Sequence, residues 1–110
     1  MITRFALFEG RVRDGRTDAF RAAVLERLVP LWTGFPGNTD VAVTFSDECD
    51  DGAPEFPLIL AISYPDRATM DAALMSPVRA KSKAETEAIC AELFDGRIHH
   101  HVTQANRYPA

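Results

Sequence analysis

Cysteine is scarce in this sequence, and its charge balance gives no basic surface. The two cysteines, Cys49 and Cys90, lack the CxxC spacing of a zinc or redox site and are too few for a disulfide framework. We expect both thiols to be reduced. The 12 basic residues are outnumbered by 16 acidic ones, and no basic stripe is present to neutralise phosphates. Nucleic acid is therefore not an expected partner.

Long apolar runs are missing as well. No stretch approaches the ~20 residues of a spanning helix, and residues 1–4 do not begin a charged leader with a cleavage site. We therefore expect a cytoplasmic protein that makes no membrane contact. At 110 residues the chain is long enough for one core and too short for a second module. A single domain over residues 1–110 is expected.

Motifs that identify a cofactor or a common reaction are also absent. The sequence has no Gly-rich phosphate loop, no Gly-x-Ser-x-Gly elbow and no His-Glu-x-x-His. The acidic segment 47–55 matches a calcium loop poorly, because Cys49 and Leu58 fall where oxygen ligands are needed. We interpret this segment as the solvated tip of a hairpin and predict neither a cofactor nor a metal.

Four segments have the patterns of β-strands. Residues 56–64 are apolar at nearly every position, which is typical of a strand buried on both faces at the centre of a sheet. Residues 3–9 are apolar on both faces apart from Arg4 and are interpreted as a second central strand. Residues 40–46 and 97–104 alternate, as expected of edge strands.

Apolar residues at helical spacing predict two helical regions between the strands. The first region begins near Thr17, and Pro30 is expected to kink or end it near residues 28–29. After the central strand, a short helix over residues 67–75 precedes a longer one from Pro77 to about residue 94. We assign the apolar side of this long helix to Ala84, Ala88, Ile89, Ala91, Leu93 and Phe94.

The predicted element order is βαββαβ, which gives an α+β fold class. A ferredoxin-like antiparallel sheet with strand order 4-1-3-2 satisfies it and places the doubly apolar strands at the centre. Two helices cover only one face of such a sheet, so the second face needs another cover. We expect a closed homodimer in which two copies pack face to face around a cavity.

The last strand carries the histidines. If Ile98 and Val102 contact the helices, His99 and His101 point to the other face, toward the dimer cavity. Imidazoles about 7 Å apart on one strand suit a catalytic acid-base role near neutral pH. Hydrogen bonds across the dimer contact and a metal site without further ligands are the alternatives. His100 is expected to be a hydrogen-bonded packing residue.

Arg4 and Trp32 are the candidate ligand-binding residues. A cation on an apolar strand calls for a carboxylate from the protein or from a ligand. An internal ion pair or a strand-end position in water is the alternative to a ligand for Arg4. Trp32, at a helix end, is either a core residue or a wall that closes over a ring-shaped ligand. A basic cluster in the first turns of the long helix suits an anion, and a solvated helix face is the alternative. This cluster consists of Arg79, Lys81 and Lys83.

One part of the sequence resembles a known family. Phe20, Pro30-Leu31 and Phe35-Pro36-Gly37, followed directly by a strand, resemble the first-helix signature of the EthD-like branch of the dimeric α/β-barrel superfamily. The resemblance implies an obligate dimer with a barrel-like interior. Such relatives include cofactor-independent monooxygenases, lactone isomerases, haem enzymes and members with no assigned activity. EthD-like proteins usually carry a His two residues before the helix proline; that position is Leu28 here, so its acid-base role is not transferred.

Three classes of function stay open from the sequence. The first is a cofactor-independent isomerase or monooxygenase that acts on a small apolar ring compound, with His99 or His101 as the acid-base group. The second is a non-catalytic module that binds such a compound. The third is an assembly protein whose sheet face serves only to dimerise. We favour a homodimeric barrel that binds a small apolar or aromatic molecule.

Overall fold

The computed structural model describes residues 1–110 and alternates strands with helices. The strands are β1 (Ile2–Val12), β2 (Asp40–Phe45), β3 (Leu58–Tyr64) and β4 (Phe94–Gln104). The helices are α1 (Thr17–Ala23), α2 (Val29–Trp32), α3 (Arg67–Leu74) and α4 (Pro77–Leu93). A π-helical segment, Val24–Leu28, joins α1 to α2. The predicted βαββαβ order is confirmed.

The strands form one antiparallel sheet in the order β2-β3-β1-β4, which is the predicted ferredoxin-like order. Ala6 of β1 lies opposite Leu60 of β3 and opposite His100 of β4. The doubly apolar strands occupy the centre because their side chains avoid water on both faces. The fold class is α+β, as predicted.

The two faces of the sheet differ because successive side chains on a strand point in opposite directions. The helix face carries Ala6, Phe8, Leu60 and Ile98, which pack into the core below the helices. We call the other side the open face. Its side chains come from the alternate positions and include Thr3, Phe5, Leu7, Glu9, Ile59, Ala61, Ser63, His99 and His101.

Aromatic contacts close the core at the end of the sheet where β1 meets α1. The rings of Phe8 and Phe94 meet edge to face with centroids 5.9 Å apart, and Phe20 stacks on Phe94 at 6.0 Å. β4 begins at Phe94, earlier than predicted, because β1 and β4 pair as far as Val12 opposite Phe94. Gly10 lies opposite Gly96, where a Cβ on either would overlap the facing backbone. This close approach lets the pairing continue.

The first helical region continues past residues 28–29. A π-helical segment lies just before residue 29, and α2 carries the helix on to Trp32. Pro30 lies in the first turn of α2, just after the π-helical segment, where the regular α-helical hydrogen-bond pattern is already interrupted. Pro30 therefore does not end the helix, which was one of the two predicted effects of this proline.

The apolar side of α4 differs from the prediction. α4 buries Ser82, Ile89 and Leu93, whereas Ala84, Ala88 and Ala91 are exposed. A residue turns about 100° around a helix, so the three buried positions share one stripe and the alanines lie off it. Alanine misled the assignment because its small side chain is tolerated on either side of a helix.

None of the helices combines the length and the apolarity needed to cross a bilayer. Both cysteines are free thiols, Cys49 exposed and Cys90 partly buried. Burial raises the pKa of Cys90 to about 11, so this thiol stays protonated at neutral pH.

Candidate functional site

A cavity of about 200 Å³ lies between the helix face of the sheet and the helices. Its apolar wall comes mainly from the strands and the loop after α2, and comprises Ala6, Phe8, Phe35, Leu60, Ile62 and Ile98. Arg4, Ala6 and Phe8 follow one another along β1 on this face, spaced by two residues. The cavity is therefore polar near Arg4 and apolar near Phe8, about 13 Å further along the strand.

Trp32 forms part of the cavity wall, and its indole is fixed by a hydrogen bond. Nε1 donates to the Oγ of Ser82 on α4 over 3.0 Å, and both side chains are buried. The bond satisfies the only polar atom of the indole within the core. Trp32 is thus a core residue, which is one of the two predicted alternatives, and it also lines the cavity.

Two arginines, Arg4 on β1 and Arg79 on α4, line the cavity together. Neither takes part in any ion pair or side-chain hydrogen bond of the structure. Burial lowers the pKa of Arg4, and the nearby charge of Arg79 lowers it further. The sequence predicts a carboxylate partner for Arg4 from the protein or from a ligand. The protein itself supplies none.

His100 lines the same cavity, which corrects the prediction that it is a packed, hydrogen-bonded residue. Its ring makes no hydrogen bond, and the residue is exposed. Partial burial, with the charges of Arg4, Arg79 and His99, lowers the pKa of His100 to about 4. The imidazole is neutral at pH 7, with a lone pair that can accept a proton.

Tyr64 ends β3 beside Arg4. Its side chain is 1% exposed, yet its hydroxyl group has no hydrogen-bond partner in the protein and borders the cavity. Burial raises the pKa of Tyr64, and the charge of Arg4 partly opposes this effect. The phenol therefore keeps its proton at neutral pH and can donate it in a hydrogen bond to a bound molecule.

His99 and His101 lie on the open face, away from this cavity. Nε2 of His99 and Oε1 of Glu9 are 2.7 Å apart, and this hydrogen bond lowers the pKa of Glu9. Arg97 approaches the same carboxylate at 3.4 Å. The structure thus brings Arg4 and Trp32 together but separates both from His99 and His101.

The sequence prediction did not include Tyr64, Ser82 or His100 among the ligand-binding residues. For Arg79 it kept two alternatives, an anion site and a solvated helix face. A signal was present on α4, where Arg79, Ser82, Lys83 and Thr86 recur at helical spacing and all line the cavity. Lys81, the other member of the basic cluster, lies outside this stripe and is exposed. Nowhere in the structure do three His, Cys, Asp or Glu side chains converge as metal ligands.

Neither a protein-family model nor a curated protein sequence matches this chain. Solved structures do match. An EthD family protein from Bacillus halodurans has a TM-score of 0.71 at 19% identity, with 96% of this chain and 99% of that chain covered. SnoaB from Streptomyces nogalater, a cofactor-independent oxygenase, has a TM-score of 0.64 at 16% identity, with 97% and 95% covered.

A third neighbour is a dimeric protein of unknown function with a ferredoxin-like fold from Bacteroides fragilis. Its TM-score is 0.64 at 13% identity, and 94% of this chain and 95% of that chain are covered. At these identities the likenesses establish the fold alone. The chain has a ferredoxin-like fold, which it shares with these three structures.

Proposed function

We propose that the protein binds a small apolar or aromatic ring compound in the cavity between the helix face and the helices. The carrying observation is that polar groups from β1, β3, α4 and β4 converge on an otherwise apolar cavity of about 200 Å³. Ligand sites have this combination of an apolar wall and few polar groups. An apolar cavity of about 150 Å³ accepts benzene, so the volume here suits a compound of one or two rings.

The polar groups also support a reaction without a cofactor, of the isomerase or monooxygenase type. Neutral His100 would take a proton from a carbon next to a ligand carbonyl. The electron pair of the broken C–H bond would form a carbon–carbon double bond, and the π pair of the carbonyl would move to its oxygen. Tyr64 would donate a hydrogen bond to that oxygen, and the positive field of Arg4 would stabilise its charge. Return of the proton to another carbon completes an isomerisation, whereas addition of dioxygen begins an oxygenation. The description of SnoaB as a cofactor-independent oxygenase supports the second outcome.

A homodimer through the open face belongs to this proposal. Phe5, Leu7, Ile59 and Ala61 remain partly exposed there, and no helix covers them. A second copy would bury these side chains and form the cavity that His99 and His101 face. An acid-base role for these two histidines stays a prediction, and it depends on that dimer. We retain the cytoplasm as the proposed location.

Calorimetric titration with two probes of equal shape, 2-naphthoate and 2-naphthamide, tests binding. We expect at least one of them to bind, and we expect Ala6→Leu to weaken binding at least about tenfold because the added side chain fills the cavity. Ala84→Leu on the exposed side of α4 is the matched control and should bind as the wild type does. The proposed site is wrong if neither probe binds, or if both variants bind equally well.

Proton transfer has its own test. NMR in D₂O follows exchange of the protons next to the carbonyl of 1-tetralone, a ring ketone of suitable size. We expect the protein to accelerate this exchange, and His100→Gln to remove about 10²–10⁴-fold of the acceleration, the usual contribution of a general base. If the probes bind and no exchange is accelerated, the protein is a non-catalytic binding module, the alternative function.

A further inference from the structure

The arginines of this chain divide into two groups. Seven of the surface arginines pair with carboxylates, and Arg21 donates to the Ser46 carbonyl and lies 5.2 Å from the centre of the Phe45 ring. Arg4 and Arg79 are the exceptions, and both line the same cavity. A guanidinium group that is partly removed from water without a partner lowers stability. Both unpaired arginines line the same cavity, and a chance distribution of arginines over the surface does not explain why.

The guanidinium groups of Arg4 and Arg79 are also held near each other despite their like charges. The charge of Arg79 lowers the pKa of Arg4, so the repulsion acts within the folded protein. Glu87 lines the cavity too, but it forms no ion pair with either arginine. The polar end of the cavity therefore carries a net positive charge that the protein itself does not neutralise.

We propose that the ligand is a ring compound with a carboxylate group, and that Arg4 and Arg79 bind this carboxylate. This inference rests on the proposed function, because it concerns the ligand of the same cavity. The planar fork of a guanidinium matches the two oxygens of a carboxylate, and each arginine can donate two parallel hydrogen bonds. The Tyr64 hydroxyl lies at the same end and remains available for a second oxygen of the ligand.

The polarity of the cavity along β1 gives the orientation. The carboxylate lies at the Arg4 end, and the ring extends past Ala6 toward Phe8 and Ile98. A phosphate is the less suitable anion, because the chain has no Gly-rich loop whose backbone amides would surround it.

The test compares the charged and the neutral probe in the same cavity. We expect 2-naphthoate to bind at least about tenfold more tightly than 2-naphthamide at pH 7, the usual gain from a hydrogen bond to a charged group. Arg4→Met and Arg79→Met should each weaken 2-naphthoate about 10–100-fold while 2-naphthamide changes less than about twofold. Arg67→Met, which removes an exposed arginine from α3, is the control and should change neither.

The possible outcomes separate this inference from the proposed function. If neither probe binds, the cavity is not the ligand site and the proposed function fails. If both probes bind equally and the arginine variants change nothing, the cavity binds rings but the carboxylate assignment is overturned. Tighter binding of inorganic phosphate than of 2-naphthoate would overturn it as well. Arg4→Lys keeps the charge without the fork, so partial retention of 2-naphthoate binding in this variant supports direct carboxylate contact. Melting temperatures of all variants establish that each is folded.

Discussion

The indole nitrogen of Trp32 donates a 3.0 Å hydrogen bond to the hydroxyl oxygen of Ser82. Trp32 ends α2, and Ser82 lies in the second turn of α4, so the bond ties two helices together along one wall of the cavity. Trp32 is 3% exposed and Ser82 is 6% exposed, which means that water does not replace either partner. The shape of the cavity wall therefore depends on a polar contact within an apolar layer.

Substitution Ser82→Ala should lower the free energy of unfolding by roughly 1–3 kcal/mol, because it leaves a buried N–H without an acceptor. Urea denaturation followed by the fluorescence of Trp32, the single tryptophan of the chain, measures the change. Ser46→Ala serves as the control, since that hydroxyl is exposed and should matter by less than about 0.5 kcal/mol. Equal urea midpoints for the two variants would contradict the structural role of the bond.

Substitution Arg4→Met should raise the free energy of unfolding, by roughly 1 kcal/mol. It removes a partly buried charge that has no carboxylate partner and is repelled by Arg79. Thermal unfolding in the absence of any probe compound measures the effect. Arg67→Met breaks only an exposed pair with Asp71 and should stay within about 0.5 kcal/mol of the wild type. A large loss of stability in Arg4→Met would mean that the arginine serves the fold rather than a ligand.

The free energy of unfolding should decrease as the pH is lowered through a window set by the pKa of His100. Its pKa lies at about 4 in the folded protein, below the ordinary value of 6.5, so the unfolded chain binds the proton more readily. The contribution of His100 is complete above about pH 6.5 and is lost as the pH falls toward about 4. We expect His100→Gln to have a shallower dependence of unfolding free energy on pH in this window, and Lys81→Gln to keep the wild-type slope. Parallel curves for the wild type and His100→Gln would contradict the cavity environment of this histidine.

Ile59 and Leu60 are neighbours on β3 that point to opposite faces. Leu60→Ala removes a core side chain and should lower the free energy of unfolding by roughly 2–5 kcal/mol while the dimer persists. Ile59→Asp places a charge on the open face and should convert the proposed dimer into a folded monomer. Sedimentation at micromolar concentration distinguishes these results. A monomeric wild type under the same conditions would disprove dimerisation through the open face.

Much of the fold is predictable because the strands follow a strict period of two. That alternation places Ile98 in the core and His99 on the opposite face, as the structure has them. Turn and cap residues also set helix starts well: Asp66 accepts the amide of Thr69 at the start of α3, as a helix cap should. Local patterns of this kind do not depend on distant parts of the chain.

The candidate site was less predictable because it depends on how far the helices reach over the sheet. Alternation shows that His100 shares a face with Arg4, but it does not show that the helices leave a cavity above them. Arg79 looked like one member of a solvated basic cluster for the same reason. Only the packing of α4 across β1 and β4 distinguishes Arg79 from Lys81, which is exposed.

The π-helical segment Val24–Leu28 has a consequence for how such a cavity changes in evolution. A π turn accommodates one residue more than an α turn, and each residue turns the chain about 100° around the helix axis. The segment therefore sets the direction in which Trp32 leaves the helix, while Phe20 and the sheet keep their places. Gain or loss of a single residue here would rotate the indole off Ser82 and reshape the cavity wall. A descendant of this protein can thus acquire a cavity of different shape through its helix register alone, with every strand pairing preserved.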